Sequence, residues 1–231
     1  MAKKNRSISN FSGTLYGVTH VDSKAYGAHV RAERGSIKPA KLNKKLKQNT
    51  LDMPKVNAQA KVVFDALKPY RGDCYDGGWW SRLVRLLKRH YKAGQLPDYS
   101  LLEGDELHEM HKLDSLMSGL TVELAMKKKE VDVQLKYEAH PSFRGEGITM
   151  YTLSVISLFI DRKALKAVTE AVEFEKLKRK GKVMPLVATL ALPKKVDVVV
   201  VCVKVTGIYE DGDPSHSGAA KGMRIVKVSE L

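Results

Sequence analysis

Two short stretches of this 231-residue chain carry the residue types from which catalytic and metal sites are built. His108-Glu109-Met110-His111 sets two imidazoles around a carboxylate. A zinc helix of the metalloprotease kind needs its histidines at i and i+4, and these stand at i and i+3 with no third ligand at a recognisable spacing. Carboxylate-bridged metal bundles use an i, i+3 pair, but they require a second such pair on a partner helix, and none is found. The pair therefore reads as a solvated helix face. Glu210-Asp211-Gly212-Asp213-Pro214-Ser215-His216-Ser217 gathers carboxylates, hydroxyls and an imidazole. An EF-hand ends in Glu at its twelfth position, where counting from Asp211 reaches Gly222. Gly218-Ala219-Ala220-Lys221-Gly222 misses the spacing and the last residue of a phosphate-binding loop. This stretch reads as a long polar hairpin, and an enzymatic reading would need it to converge with the His108/His111 pair.

Cys74 lacks the sequence context of a papain-like nucleophile, and no serine-hydrolase elbow, kinase loop or dinucleotide fingerprint occurs. Cys74 and Cys202 have no neighbouring cysteine, so reduced thiols are expected, without a zinc ribbon or disulfide scaffold. The expectation is a non-enzymatic protein with no cofactor and no metal.

The cations point elsewhere. Forty Lys and Arg against 26 Asp and Glu leave a formal charge of +14, which favours a polyanionic partner. Residues 1 to 50 hold 11 Lys/Arg and two Asp/Glu, whereas 101 to 150 hold six and ten. The arm supplies Lys3, Lys4, Arg6, Arg31, Arg34, Lys38, Lys41, Lys44, Lys45 and Lys47. Arg82, Arg85, Arg89 and Lys92 recur at helical spacing, and no acidic residue interrupts Trp79 to Gln95. A merely solvated face usually interleaves Glu, so these fourteen cations form the expected polyanion-binding set. Two partners fit: nucleic acid, or the acidic segment 101 to 114 of a neighbouring copy in a homo-oligomer or larger assembly. Trp79-Trp80 reads as core at a helix start, with base stacking as the rival.

These side chains need elements to position them. Hydrophobic residues make up 43% of the chain, enough for a globular core. Leu15 to Val21 and Tyr26 to Val30 alternate as two short strands around Asp22-Ser23-Lys24, a hairpin that would be marginal alone. Val56, Ala60, Val63, Phe64 and Leu67 line a helix over 54 to 68 that starts at Pro54 and stops at Pro69. A second helix follows from Trp80 to Tyr91, closed by Gly94. A third is expected from Ser100, where Ser-Leu-Leu-Glu matches a capping box. Past Gly119 the period falls to 2. Thr121 to Met126 pairs with Val131 to Tyr137, and 148 to 160, 183 to 192, 196 to 209 and 223 to 228 add further strands. Leu165 to Leu177 is ambiguous, with the spacing of Leu165, Val168 and Val172 favouring a short helix or crossover.

The architecture expected is α+β: a basic extended arm with a short hairpin over 1 to 50, a helical unit over 51 to 118, and an antiparallel β-sandwich over 119 to 231. No window is apolar enough to span a membrane, and Ser7 to Ser12 is polar where a secretory leader would be apolar, so a cytoplasmic location is expected. Ser36-Ile37-Lys38-Pro39-Ala40-Lys41-Leu42-Asn43, the run Ala60 to Tyr70 and Trp80-Ser81-Arg82-Leu83 resemble proteins of unknown function encoded by Bacteroidota and their mobile elements. That resemblance covers about the first half of the chain and carries no site residues. It implies an intracellular bacterial or phage-related structural protein.

Overall fold

The computed structural model describes residues 13–23, 27–32, 43–92, 94–144 and 147–231. The chain divides into two compact units after Gln48. In the first, β1 (Gly13–Leu15), β2 (Val18–Ser23) and β3 (Gly27–Ala32) form an antiparallel sheet in the order β1-β2-β3. It adds one strand to the expected hairpin. Leu15, Tyr16 and Val30 are exposed on it.

The helices are α1 (Lys44–Ala66), α2 (Lys68–Arg71), α3 (Trp79–Lys88) and the single turn α4 (Leu113–Leu116). Two boundaries differ from expectation. Pro54 lies inside α1 rather than at its start, and Pro69 falls in the first turn of α2, where its missing N–H is tolerated. The helix expected from Ser100 is replaced by one 3-10 turn, Tyr99–Leu102, capped by Asp98 through Ser100 N. Gly104 then adopts φ +90°, and the chain runs extended beside a sheet edge. Gly104 N donates to Ile225 O, Ile225 N to Asp105 O, and Leu107 N to Met223 O. Tertiary pairing outweighs the local capping pattern there.

The strands are β4 (Thr121–Met126), β5 (Glu130–Lys136), β6 (Ile148–Asp161), β7 (Lys166–Lys178), β8 (Leu186–Ala191), β9 (Val198–Tyr209) and β10 (Lys221–Glu230). They form two antiparallel sheets, β10-β9-β6-β7 and β4-β5-β8. The ambiguous segment is strand β7, paired with β6 from Asp161↔Lys166 to Met150↔Lys178. Its helical spacing is overridden because a strand there satisfies the free edge of β6 along its whole length.

The two sheets face each other across one apolar cluster. Val131, Val133 and Leu135 of β5 meet Leu153, Val155 and Phe159 of β6 and Val199, Val201 and Val203 of β9. The opposite face of the four-stranded sheet packs on the helices: Ile156, Leu158, Val200 and Cys202 meet Val56, Val63, Leu67, Trp79, Leu83 and Leu87. The central strands are thus buried on both faces, which explains why Val198 to Val203 is apolar without alternation. These two sheets and the helical residues from Asn49 onward lie within the one unit that follows Gln48. The fold is α+β, with its C-terminal part antiparallel, and among the described residues no helix is long and apolar enough to cross a membrane.

Candidate functional site

Helix α3 shows how the cationic surface is built. Trp79, Leu83, Val84 and Leu87 fall on one side and are buried. Trp79 stacks on Phe64 with ring centroids 5.3 Å apart, and Trp80 meets the same ring edge-on at 5.2 Å, so both indoles belong to the packing. Arg85 lies opposite that stripe and is exposed, as is Arg89 at the helix end. Arg82 and Lys88 occupy the two flanks of the stripe and turn inward.

Arg82 is a structural residue. Its Nη1 sits 2.9 Å from both carboxylate oxygens of Asp76 and 3.1 Å from Glu109 Oε1, and its Nη2 donates to Glu106 O and Leu107 O. Only 13% of the side chain is exposed. Burial works against the Asp76 carboxylate, but hydrogen bonds from Glu109 N, Arg82 and Gly78 N outweigh it and hold the carboxyl below its usual range. Lys88 is likewise committed, 2.9 Å from the buried Asp52. Since α3 ends at Lys88, Lys92 lies beyond the helix, exposed. The four-residue stripe therefore resolves into one internal anchor, Arg82, and three surface cations.

Arg31, Lys44, Lys45 and Lys47 are exposed and make no ion pair among the described residues. Lys3, Lys4, Arg6, Arg34, Lys38 and Lys41 lie outside the described residues. One cationic segment lies outside the expected set: Lys176-Leu177-Lys178-Arg179-Lys180-Gly181-Lys182, where β7 passes toward β8. Its signal, a basic run without an acid, is plain in the sequence, but it lies in a stretch that reads as a connection. The segment is anchored. Arg179 Nη1 donates to Ile148 O at 2.7 Å, Arg179 N donates to Thr149 O, and the guanidinium lies 5.4 Å from the Phe143 ring. His140 sits 3.2 Å from Gly181 O through Nε2 and 3.1 Å from the Tyr151 hydroxyl through Nδ1. Lys178, Arg179 and Lys180 line a cavity of about 560 Å³ with Thr149, Met150 and Glu210.

The acidic segment is consumed internally. Glu103 accepts from Lys227 and Val228 N, and Asp105 accepts from Trp79 Nε1 at 3.0 Å. Glu106 caps α4 through Leu113 N and Asp114 N, Glu109 pairs with Arg82, and Asp114 pairs with Arg224 at 2.8 Å. Burial pushes the Asp105 and Glu106 carboxyls up, against the hydrogen bond from Trp79 in the first case and the α4 amides in the second.

The His108 and His111 rings lie 4.4 Å apart. His108 Nδ1 accepts from Met110 N and His111 N, so this nitrogen organises a turn. Burial, and then His108, lower the His111 pKa. His111 packs against Gly218, where an added Cβ would lie 2.5 Å from Nε2, so the pair does approach the segment following Ser217. Among the described residues no cluster of three or more metal-ligating side chains occurs. Residues 210–217 form the polar hairpin, with Tyr209 N donating to Asp213 O, Gly212 N to Tyr209 O and Ser215 N to Gly207 O. Cys74 and Cys202 are free and buried, and burial raises both thiols.

No family model, no curated protein and no solved structure matches this chain.

Proposed function

We propose that this chain is a non-enzymatic assembly or accessory protein that holds a polyanion, nucleic acid being the partner its charge fits. The observation that carries the reading is the division of labour among the cations. Arg82 and Lys88 are tied internally, whereas Lys44, Lys45, Lys47, Arg85, Arg89 and Lys92 are exposed and make no ion pair among the described residues. Lys178, Lys180 and Lys182 extend the set. The mechanism is charge neutralisation with release of counterions, indifferent to base sequence because no groove-reading motif is present.

The rival, a homo-oligomer whose basic arm docks on residues 101–114 of another copy, loses support because Glu103, Asp105, Glu106, Glu109 and Asp114 all have partners within their own chain. Titrating the full chain into labelled single-stranded and duplex oligonucleotides of scrambled sequence tests the proposal. Binding to all of them with similar affinity at low salt is expected. No binding to DNA or RNA at low salt removes it.

A further inference from the structure

On its helix-facing side the four-stranded sheet carries a polar end that the helices leave open. Lys221↔Thr206 and Thr206↔Thr152 are direct cross-strand partners, and Lys204 precedes Thr206 by two residues, so all four side chains share one face. The loop Gly72-Asp73-Cys74 forms one wall of the resulting cleft, and Gly212 and Pro214 of the polar hairpin contribute to another. Its volume is about 480 Å³, the size of a small metabolite site.

A β-bulge completes it. Between Tyr151↔Leu177 and Leu153↔Phe174, the single residue Thr152 opposes both Glu175 and Lys176. Lys176 takes φ +53°, in the left-handed region. In a regular strand consecutive side chains point to opposite faces, yet Glu175 and Lys176 both line the cleft, which is what a bulge does to a strand.

The lining is ordered by depth. Thr152, Lys204, Thr206 and Lys221 are half-buried at the base, whereas Asp73, Glu173, Glu175 and Lys176 are exposed at the rim. Lys204 is the sole charge on β9 and donates to Tyr70 O at 2.9 Å, leaving two further ammonium protons. Among the described residues the Lys221 side chain, 13% exposed, meets only the solvated carboxylate of Asp73, at 3.3 Å. The two threonine hydroxyls have no hydrogen-bond partner among the described residues. Cys74 contributes sulfur to the wall and no nucleophile, since its thiol is held protonated by burial.

We infer that this cleft is a binding site for a small phosphomonoester that also carries an amine. Two ammoniums and two hydroxyls at the base match a phosphate group, which has a charge of about −1.5 to −2 and three strong acceptor oxygens. A carboxylate has one oxygen fewer than these donors can serve, since Lys204 has two protons to spare, both hydroxyls are unpartnered among the described residues, and Lys221 meets only an Asp73 carboxylate that is itself solvated. The rim carboxylates Asp73, Glu173 and Glu175 outnumber the one rim ammonium, Lys176, so the rim favours a cation above the phosphate and disfavours a second phosphate or a nucleic-acid strand. The site is thus independent of the polyanion surface.

Calorimetric titration of the full chain with O-phosphoethanolamine and, separately, inorganic phosphate tests the inference. Saturable one-to-one binding is expected, tighter for O-phosphoethanolamine. The isosteric double variant Thr152→Val/Thr206→Val should weaken both ligands by about tenfold or more, the loss of charge-assisted hydrogen bonds. Glu173→Gln/Glu175→Gln should reduce O-phosphoethanolamine to the level of phosphate while sparing phosphate. Lys61→Gln, outside both the cleft and the cationic set, should change neither. Absence of saturable binding, or binding that survives the threonine variant unchanged, overturns the inference, and neither result bears on oligonucleotide binding, which is measured in parallel.

Discussion

Arg82 and Arg85 stand three residues apart on α3, carry the same charge, and are assigned opposite roles. Arg82→Ala removes a guanidinium bonded to both Asp76 oxygens, to Glu109 and to two backbone carbonyls. Breaking a buried ion pair costs about 3–5 kcal/mol. The cost here is smaller, because Asp76 keeps donors from Gly78 N and Glu109 N and is itself 21% exposed. We expect about 2–3 kcal/mol, read as a fall of about 1 M or more in the urea midpoint at an m-value of about 2 kcal/mol per M. Arg85→Ala should leave the stability within about 0.5 kcal/mol of the parent, a midpoint shift of about 0.25 M or less at the same m-value. In oligonucleotide binding the order reverses: Arg85→Ala should reduce the slope of log affinity against log salt by about 0.9, one phosphate contact, while folded Arg82→Ala keeps the parent slope. Equal midpoints for parent and Arg82→Ala, with a lowered salt slope for that variant, would refute the placement of Arg82 inside the protein.

Three further outcomes follow from other parts of the fold. The triple variant Lys178→Gln/Lys180→Gln/Lys182→Gln should bind oligonucleotides more weakly and with a salt slope smaller by up to about 2.7, at unchanged thermal stability. Asp105 has its pKa raised in the folded state, so its favourable contribution is fully present below the unfolded value and is lost as pH rises through the folded one. Asp105→Asn, which keeps an acceptor for Trp79 Nε1, should therefore be more stable than the parent near neutral pH and converge with it in acid, as urea midpoints from about pH 4 to pH 7 would show. Gly222→Ala would place a Cβ 2.9 Å from the backbone of Leu113 and should cost about 1–3 kcal/mol, whereas Gly77→Ala, with open space around it, should be nearly neutral in the same melts.

Much of the fold was legible where one local pattern and one tertiary role agree. β4 and β5 alternate because a single face is buried, and α1 carries the stripe Val56, Ala60 and Val63 because a single face meets the sheet. Local pattern misleads where pairing at a distance decides. β7 has helix-like apolar spacing, but β6 offers it a complete edge. Residues 104–107 follow a capping-box pattern, yet they are held extended by β10, more than a hundred residues later. The cationic surface was half legible: charge run and helical period locate Arg85 and Arg89, but nothing local reveals that Asp76 and Glu109 fold back onto Arg82. The cleft was not legible at all, since Thr152, Glu175, Lys204 and Lys221 come from four strands and its bulge exists only as a mismatch between two of them.

The central claim is that the exposed cations serve a negatively charged partner through counterion release. Its most direct test is the affinity of the full chain for a single-stranded oligonucleotide of fixed length across a salt series. A straight decline of log affinity with log salt is predicted, at about 0.7 for each phosphate neutralised on a single strand. An affinity independent of salt, or none at the lowest salt, would contradict it.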